Sequence, residues 1–308
     1  MSITIRDVLV FGAGASFGSG EVKPKPPPMT DGLFTVMQRL FPAVCRGLSQ
    51  ECVDLLLDDF EAGMRMVGEV NSHMLPPLQR SMASFFFGFY PGENNLYRRI
   101  ARKVIGVEWS GAFVSFNYER LLEIALITEG LQPFVGQRPD GEKYVEICLP
   151  HGCCHIFCDS VRGAANVVSF AGFNVSTHGQ VSVVVNPVEF NSRIRNDAFP
   201  PVMSYFELEK RTSSGVNFIE EQRKRYIDLI SDAKTVIVIG LKVRQNDKHI
   251  WDAIAETKAK IVYCSGKVSG DEFANWANEK RAGKDNLIIR KYFDESFDLI
   301  CGEVGLDG

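Results

Sequence analysis

The chain has 308 residues, 45% of them apolar, enough to bury a full hydrophobic core in one large domain or two of modest size. Its formal charge of −4, with Lys and Arg dispersed, leaves no broad positive field for a phosphate backbone and argues against direct nucleic-acid binding. The first residues lack the pattern of a signal peptide, no apolar run reaches the roughly 18 residues that cross a bilayer, and the eight cysteines form no spaced framework, so a cytoplasmic protein with reduced, mostly buried thiols is expected.

Asp7 to Phe11 is a short β-branched and aromatic run that stops at glycines, the pattern of a buried strand in mid-sheet feeding a tight turn. Stacked prolines between Lys23 and Pro28 favour extended chain and postpone the first helix to Thr30 or Asp31, either of which can cap it. From Leu33 to about Arg102 apolar residues recur three and four apart, as in Leu33, Phe34, Met37 and Leu40, which predicts an inserted helical subdomain over about 33–105. Its aromatics Phe85 to Phe87, Phe89 and Tyr90 suit a buried helix core or an oligomer surface.

The sheet resumes at Gly111 to Phe116, followed by a helix over Tyr118 to Ile127. Val145 to Leu149 reads as a further strand, and Val167 to Val185 as an antiparallel hairpin around Ser176 to Gly179. Thereafter strands and helices alternate: a helix to Ser231, strand Thr235 to Ile239, a helix after Asp247, strand Lys260 to Cys264, a helix around Phe273 to Lys280, strand Leu287 to Ile289 and a closing helix. This order predicts an α/β fold, a doubly wound and mostly parallel sheet covered on both faces.

In such a sheet, ligands bind where loops leave the carboxyl ends of the strands. Gly12-Ala13-Gly14-Ala15-Ser16 leaves the first strand there, and a turn without side chains at Gly12 and Gly14 lets backbone approach a pyrophosphate, with the Ser16 hydroxyl as a donor. Phe17 stands where a dinucleotide dehydrogenase has its third glycine, so the hydride-transfer fingerprint fails. Asn117 has an amide that can donate to and accept from a ribose hydroxyl or a water, or can simply cap the next helix. His151, between Pro150 and Gly152, is either a proton acceptor near neutral pH or a structural histidine bonded to backbone. Cys153, Cys154, His155 and Cys158 invite a zinc reading, but adjacent cysteines with no second Cys-x-x-Cys pair argue against a metal. Asp247 opens the helix that carries His249 and reads as its cap.

Taken in order, these segments resemble the sirtuin superfamily, and within it the bacterial sirtuin-like NAD+ hydrolases of anti-phage defence. Gly12 to Ser16 is similar to the family's phosphate-binding turn, and Pro28-x-Thr30-x-x-Leu33 to the proline and leucine after it. Ser115-Phe-Asn-Tyr-Glu119 resembles Thr-x-Asn-Tyr-Asp, His151-Gly152 matches the His-Gly pair, and Pro200-Pro201 and Ile239-Gly-Leu241 through Asp247-x-His249 resemble later landmarks. The departures are Glu119 for Asp and Leu241-Lys242 where relatives favour Tyr-Ser; the four-cysteine zinc module of the deacylases is lacking.

The resemblance implies a Rossmann-like fold, NAD+ as substrate, and Asn117 with His151 as the catalytic pair. It implies that Gly12, Ala13, Gly14, Ala15, Ser16 and Thr30, with Ser115, Gly240, Leu241, Asp247, Ser265 and Gly266, form the NAD+ pocket. It further implies NAD+ depletion in abortive infection, triggered by homo-oligomer assembly or by a sensor partner such as an ATPase or an argonaute-like protein. Other readings are a non-catalytic NAD+ or ADP-ribose sensor and, less well supported, an NAD+-dependent protein deacylase.

Overall fold

The first strand, β1 (Asp7–Phe11), lies in mid-sheet, and Val8, Leu9, Val10 and Phe11 are fully buried, which stabilises the fold by about 1.5–3 kcal/mol per side chain. The computed structural model describes residues 6–107, 109–136, 139–140, 143–159, 176–204, 214–244 and 247–307. A five-residue helix, α1 (Ala13–Phe17), follows Gly12 at once. That corrects the expectation of a delayed first helix: the prolines begin only at Pro24, so the glycine turn itself can coil. A short strand β2 (Val22–Lys23) precedes α2 (Thr30–Leu40), whose cap position is taken by Met29 rather than by Thr30 or Asp31. Asp31 sits instead in the first turn, where its charge complements the helix dipole.

The helices continue with α3 (Pro42–Cys45), α4 (Gln50–Asp58), α5 (Phe60–Val70) and α6 (Leu75–Phe87); β3 (Tyr90–Pro91) then pairs antiparallel with β2, and α7 (Leu96–Gly106) leads back to the sheet. Phe86, Phe87 and Phe89 are buried, which assigns the aromatic run to the core, while Tyr90 is exposed.

After β4 (Gly111–Ser115), the helix expected from Tyr118 begins three residues later, as α8 (Leu121–Thr128). Residues 116–120 stay irregular because Asn117, Glu119 and Arg120 turn their side chains into buried hydrogen bonds. An edge strand β5 (Gln132–Phe134), too short and too marked by Pro133 to be read from sequence, joins β6 (Tyr144–Cys148). The first arm of the expected hairpin falls outside the described residues. Its second arm, β8 (Val181–Val183), pairs with β7 (Ile156–Cys158).

The chain closes with α9 (Pro187–Asn196), α10 (Val216–Asp232), β9 (Thr235–Ile239), α11 (Lys248–Glu256), β10 (Lys260–Cys264), α12 (Gly266–Lys280), β11 (Asn286–Ile289) and α13 (Phe293–Glu303).

The seven-stranded sheet runs β11-β10-β9-β1-β4-β6-β5, and every neighbouring pair is parallel. Successive side chains point to opposite faces. Leu9, Phe11, Phe113, Ile237 and Ile239 pack with the helical stretch α2–α8 and α13. Val8, Val10, Val114, Val236 and Val238 pack with α10, α11 and α12. Both faces are therefore covered, and the fold is doubly wound α/β. No described helix is long and apolar enough to cross a membrane.

Candidate active site

The strand order reverses beside β1: the chain first fills one flank with β4 and β6, then returns to fill the other with β9, β10 and β11. Loops from opposite flanks diverge at such a point and leave a crevice beyond the carboxyl ends of the strands. A cleft of about 810 Å³ lies there, within the range of sites for small molecules and cofactors. The loops after β1, β4, β6, β9 and β10 line it, together with the proline segment and residues of α2, α5, α6, α11, α12 and the start of α13.

Of the residues singled out in the sequence, Gly12, Ala13, Gly14, Ser16, Thr30, Asn117, His151, Gly240, Leu241, Asp247 and Ser265 line this cleft. Ala15, Ser115 and Gly266 lie behind that lining. Ala15 is fully buried in the core, the Ser115 Oγ accepts from the backbone N–H of Asn117 at 3.2 Å, and Gly266 packs against the Tyr292 ring. Asp247 occupies the cap position of α11, as expected, although its side chain makes no cap hydrogen bond.

The glycines of the first turn are required by the protein's own backbone. Gly14 donates its N–H to the Gly240 carbonyl at 2.9 Å, and a Cβ on Gly12 would lie 2.6 Å from that same oxygen. Gly240 in turn has a φ of +64°, and a Cβ there would sit 2.0 Å from the Ala15 nitrogen. The loops after β1 and β9 are thus locked backbone to backbone at the floor of the cleft.

Asn117 ties a third loop to the same turn. Its Nδ2 donates to the Gly12 carbonyl at 3.1 Å and to the Ser16 Oγ at 2.9 Å, which commits the amide N–H groups and leaves Oδ1 as its acceptor. The cap of α8 is Arg120, so the helix-cap role considered for Asn117 is not the one it fills. Ser16 Oγ also meets Tyr97 Oη at 2.8 Å and donates to Glu119 Oε1 at 2.5 Å; Glu119 Oε2 accepts from the Leu121 N–H. Burial holds the Glu119 carboxyl above its ordinary pKa, while these hydrogen bonds pull it back down.

On the far side of Asn117, His151 is 7% exposed, with the Tyr118 ring stacked on it at 6.2 Å and Phe116 edge-on at 4.9 Å. Its Nε2 lies 2.8 Å from Nε2 of His249. Across the cleft, Arg244 pairs with Glu61 of α5 at 2.5 Å. His249, Tyr97, Glu61 and Arg244 were not predicted as site residues. Only His249 carried a signal, in the Asp247-x-His249 pattern; nothing in the local sequence links Glu61 to Arg244 or Tyr97 to Ser16.

Cys153, Cys154 and His155 bring two sulfurs and a ring nitrogen within 4.8 Å of one another, although adjacency in the chain suggested otherwise. Cys153 Sγ donates to the Tyr118 carbonyl at 3.2 Å and lies 3.1 Å from His155 Nδ1; burial lowers the His155 pKa to about 3 and raises that of the Cys153 thiol. All eight cysteines are free and buried.

No protein-family model matches the chain, and no curated protein does. Similar solved structures include two mutants of a Sir2 homologue, each in complex with ADP-ribose, at 12% identity over 97% of this chain and 92% of that chain with a TM-score of 0.49. A Sir2 homologue–NAD complex is similar at 14% identity, over 97% of this chain and 89% of that chain, with a TM-score of 0.47.

Proposed function

We propose that the protein is an NAD+ glycohydrolase that breaks the bond between nicotinamide and ribose, with Asn117 and His151 as its catalytic pair. The observation that carries the reading is that these two side chains, 34 positions apart, line one cleft with the Gly12–Ser16 turn, in the order and with the neighbours that the sequence resemblance implies. A neutral imidazole can accept a proton from an attacking water, and an amide whose nitrogen is held in place presents a fixed acceptor to a ribose hydroxyl or that water.

Glycosidic bonds break through an oxocarbenium-like state, so the enzyme has to hold the ribose and the water more than it has to activate a leaving group. Nicotinamide departs as a neutral molecule, taking the electron pair of the C–N bond. Water adds to the ribose carbon and its proton passes to His151, which gives ADP-ribose; attack by a group within the same molecule would give a cyclic product instead. The backbone turn at Gly12–Ser16, with Arg244 and Lys242 nearby on the wall, is suited to the phosphates. The reading carries with it a regulated enzyme, silent until assembly or a partner protein triggers it.

The test is release of nicotinamide from NAD+ by the purified chain, alone and with its co-purifying partner, in wild type, Asn117→Ala and His151→Ala. Cleavage by wild type and a loss of at least about 100-fold in both variants is expected. NAD+ bound without turnover, with the partner present, would assign the cleft to a sensor instead.

A further inference from the structure

The 2.8 Å contact between Nε2 of His151 and Nε2 of His249 joins residues 98 positions apart. His249 lies on the first turn of α11 and is not on the cleft wall, whereas His151 is. The rings are 5.1 Å apart, and Phe116 packs edge-on against both. Two nitrogens of this kind at this distance share one proton: one donates it, the other offers a lone pair. Two doubly protonated rings would confront each other with N–H groups and like charges, so the contact exists only while at least one ring is neutral.

We propose that His249 is the positioning residue that sets the proton state of His151, an inference that rests on the reading of His151 as the proton acceptor. When His249 accepts, His151 carries its proton on Nε2 and its Nδ1 is basic. When His249 donates, His151 carries its proton on Nδ1 and is no longer a base there. A proton gained by His151 at Nδ1 is matched by movement of its Nε2 proton onto His249, which places the positive charge on the second ring. Tyr118, from the loop after β4, stacks on His151 and is itself acted on by Glu61, Asp247 and Arg223, while Asp247 and the Glu61–Arg244 ion pair line the same cleft as His151.

The experiment is a 1H–15N spectrum of the imidazole nitrogens recorded from about pH 5 to pH 9, in wild type, His249→Ala and His249→Gln. There are five histidines, so single His→Gln variants assign the signals. In wild type, His151 is expected in one dominant tautomer and the two rings titrate as a coupled pair in two steps. In His249→Ala, His151 titrates in one step with mixed tautomers; His249→Gln, whose amide reaches the same nitrogen, keeps one tautomer. Unchanged tautomer and titration of His151 in both folded variants overturn the proposal, as does independent one-step titration of each ring in wild type. With NAD+ as the probe, His249→Ala is expected to lower kcat at least about tenfold with KM within about twofold, and His249→Gln to recover part of it. A wild type that leaves NAD+ intact overturns the functional reading, while the ring titration still decides the pairing.

Discussion

Asn117 offers a way to separate what its side chain holds together from what it does to a substrate. In Asn117→Ala the bonds to Gly12 O and Ser16 Oγ are lost, but neither acceptor is orphaned: Ala15 N still donates to Gly12 O at 2.9 Å, and Ser16 Oγ keeps Tyr97 and Glu119. The cost is then two net hydrogen bonds, about 2 kcal/mol, or a melting temperature lower by about 3 °C for a chain of this length. In Asn117→Asp the same bonds are lost and a second carboxyl faces Glu119 across the Ser16 hydroxyl, at 2.9 and 2.5 Å from it. Two carboxylates about 5 Å apart repel by about 3 kcal/mol at an effective dielectric constant near 20. Burial already favours the protonated form of Glu119, so the repulsion is absent at low pH and grows as pH rises and both groups ionise. Melting curves from about pH 5 to pH 8 should show Asn117→Asp close to Asn117→Ala at the acidic end and falling progressively below it at the basic end. An aspartate variant as stable as the alanine variant at pH 8 would refute the shared network.

Glu123 gives a second pH-dependent expectation, with a pKa pushed from 4.5 to about 8 by burial first and by Glu119 second. Neither of its oxygens has a hydrogen-bond partner, the Cys153 thiol beside it lying outside hydrogen-bonding geometry. The unfolded chain releases this proton near 4.5 and the folded one near 8, so wild type loses stability as pH rises through that window; Glu123→Gln should be more stable by about 3 kcal/mol at pH 7 and no more stable at pH 4. A difference in stability that does not change with pH would contradict this. Gly240→Ala forces a Cβ into the Ala15 nitrogen and should leave little folded protein, whereas Gly106→Ala, at the end of α7 with nothing within 4 Å, should be neutral or stabilising by up to about 1 kcal/mol; thermal shift on both reports the contrast.

The central strands were legible because their apolar runs are bounded by glycine and polar residues on both sides. Thr235–Ile239 and Lys260–Cys264 stand where the sequence places them, and β1 is in mid-sheet as expected. What escaped were elements stabilised from elsewhere. β5 forms because β6 offers it a free edge, α1 because the turn after Gly12 is braced by Gly240, and the late start of α8 follows from Glu119 accepting the Leu121 N–H. Likewise Asn117 and His151, which the resemblance singled out, follow strand ends, while Tyr97 reaches Ser16 and Glu61 reaches the cleft from helices whose periodicity marks them only as helix.

The glycine turn has a reason to be glycine that its sequence does not show. From sequence, Gly12 and Gly14 are there to admit a phosphate; in the structure a Cβ on Gly12 would collide with Gly240 at 2.6 Å, and one on Gly14 would press against it at 3.0 Å. The two explanations make different demands on the chain. Admission of a ligand needs open space in front of the turn, whereas packing against Gly240 needs contact behind it, and both hold, because the cleft lies on one side and β9 on the other. The turn is therefore fixed before any ligand arrives, by Gly240 from behind and by Asn117 from the flank. A cleft with such a floor takes a ligand without reordering that backbone, which lowers the entropic cost of binding.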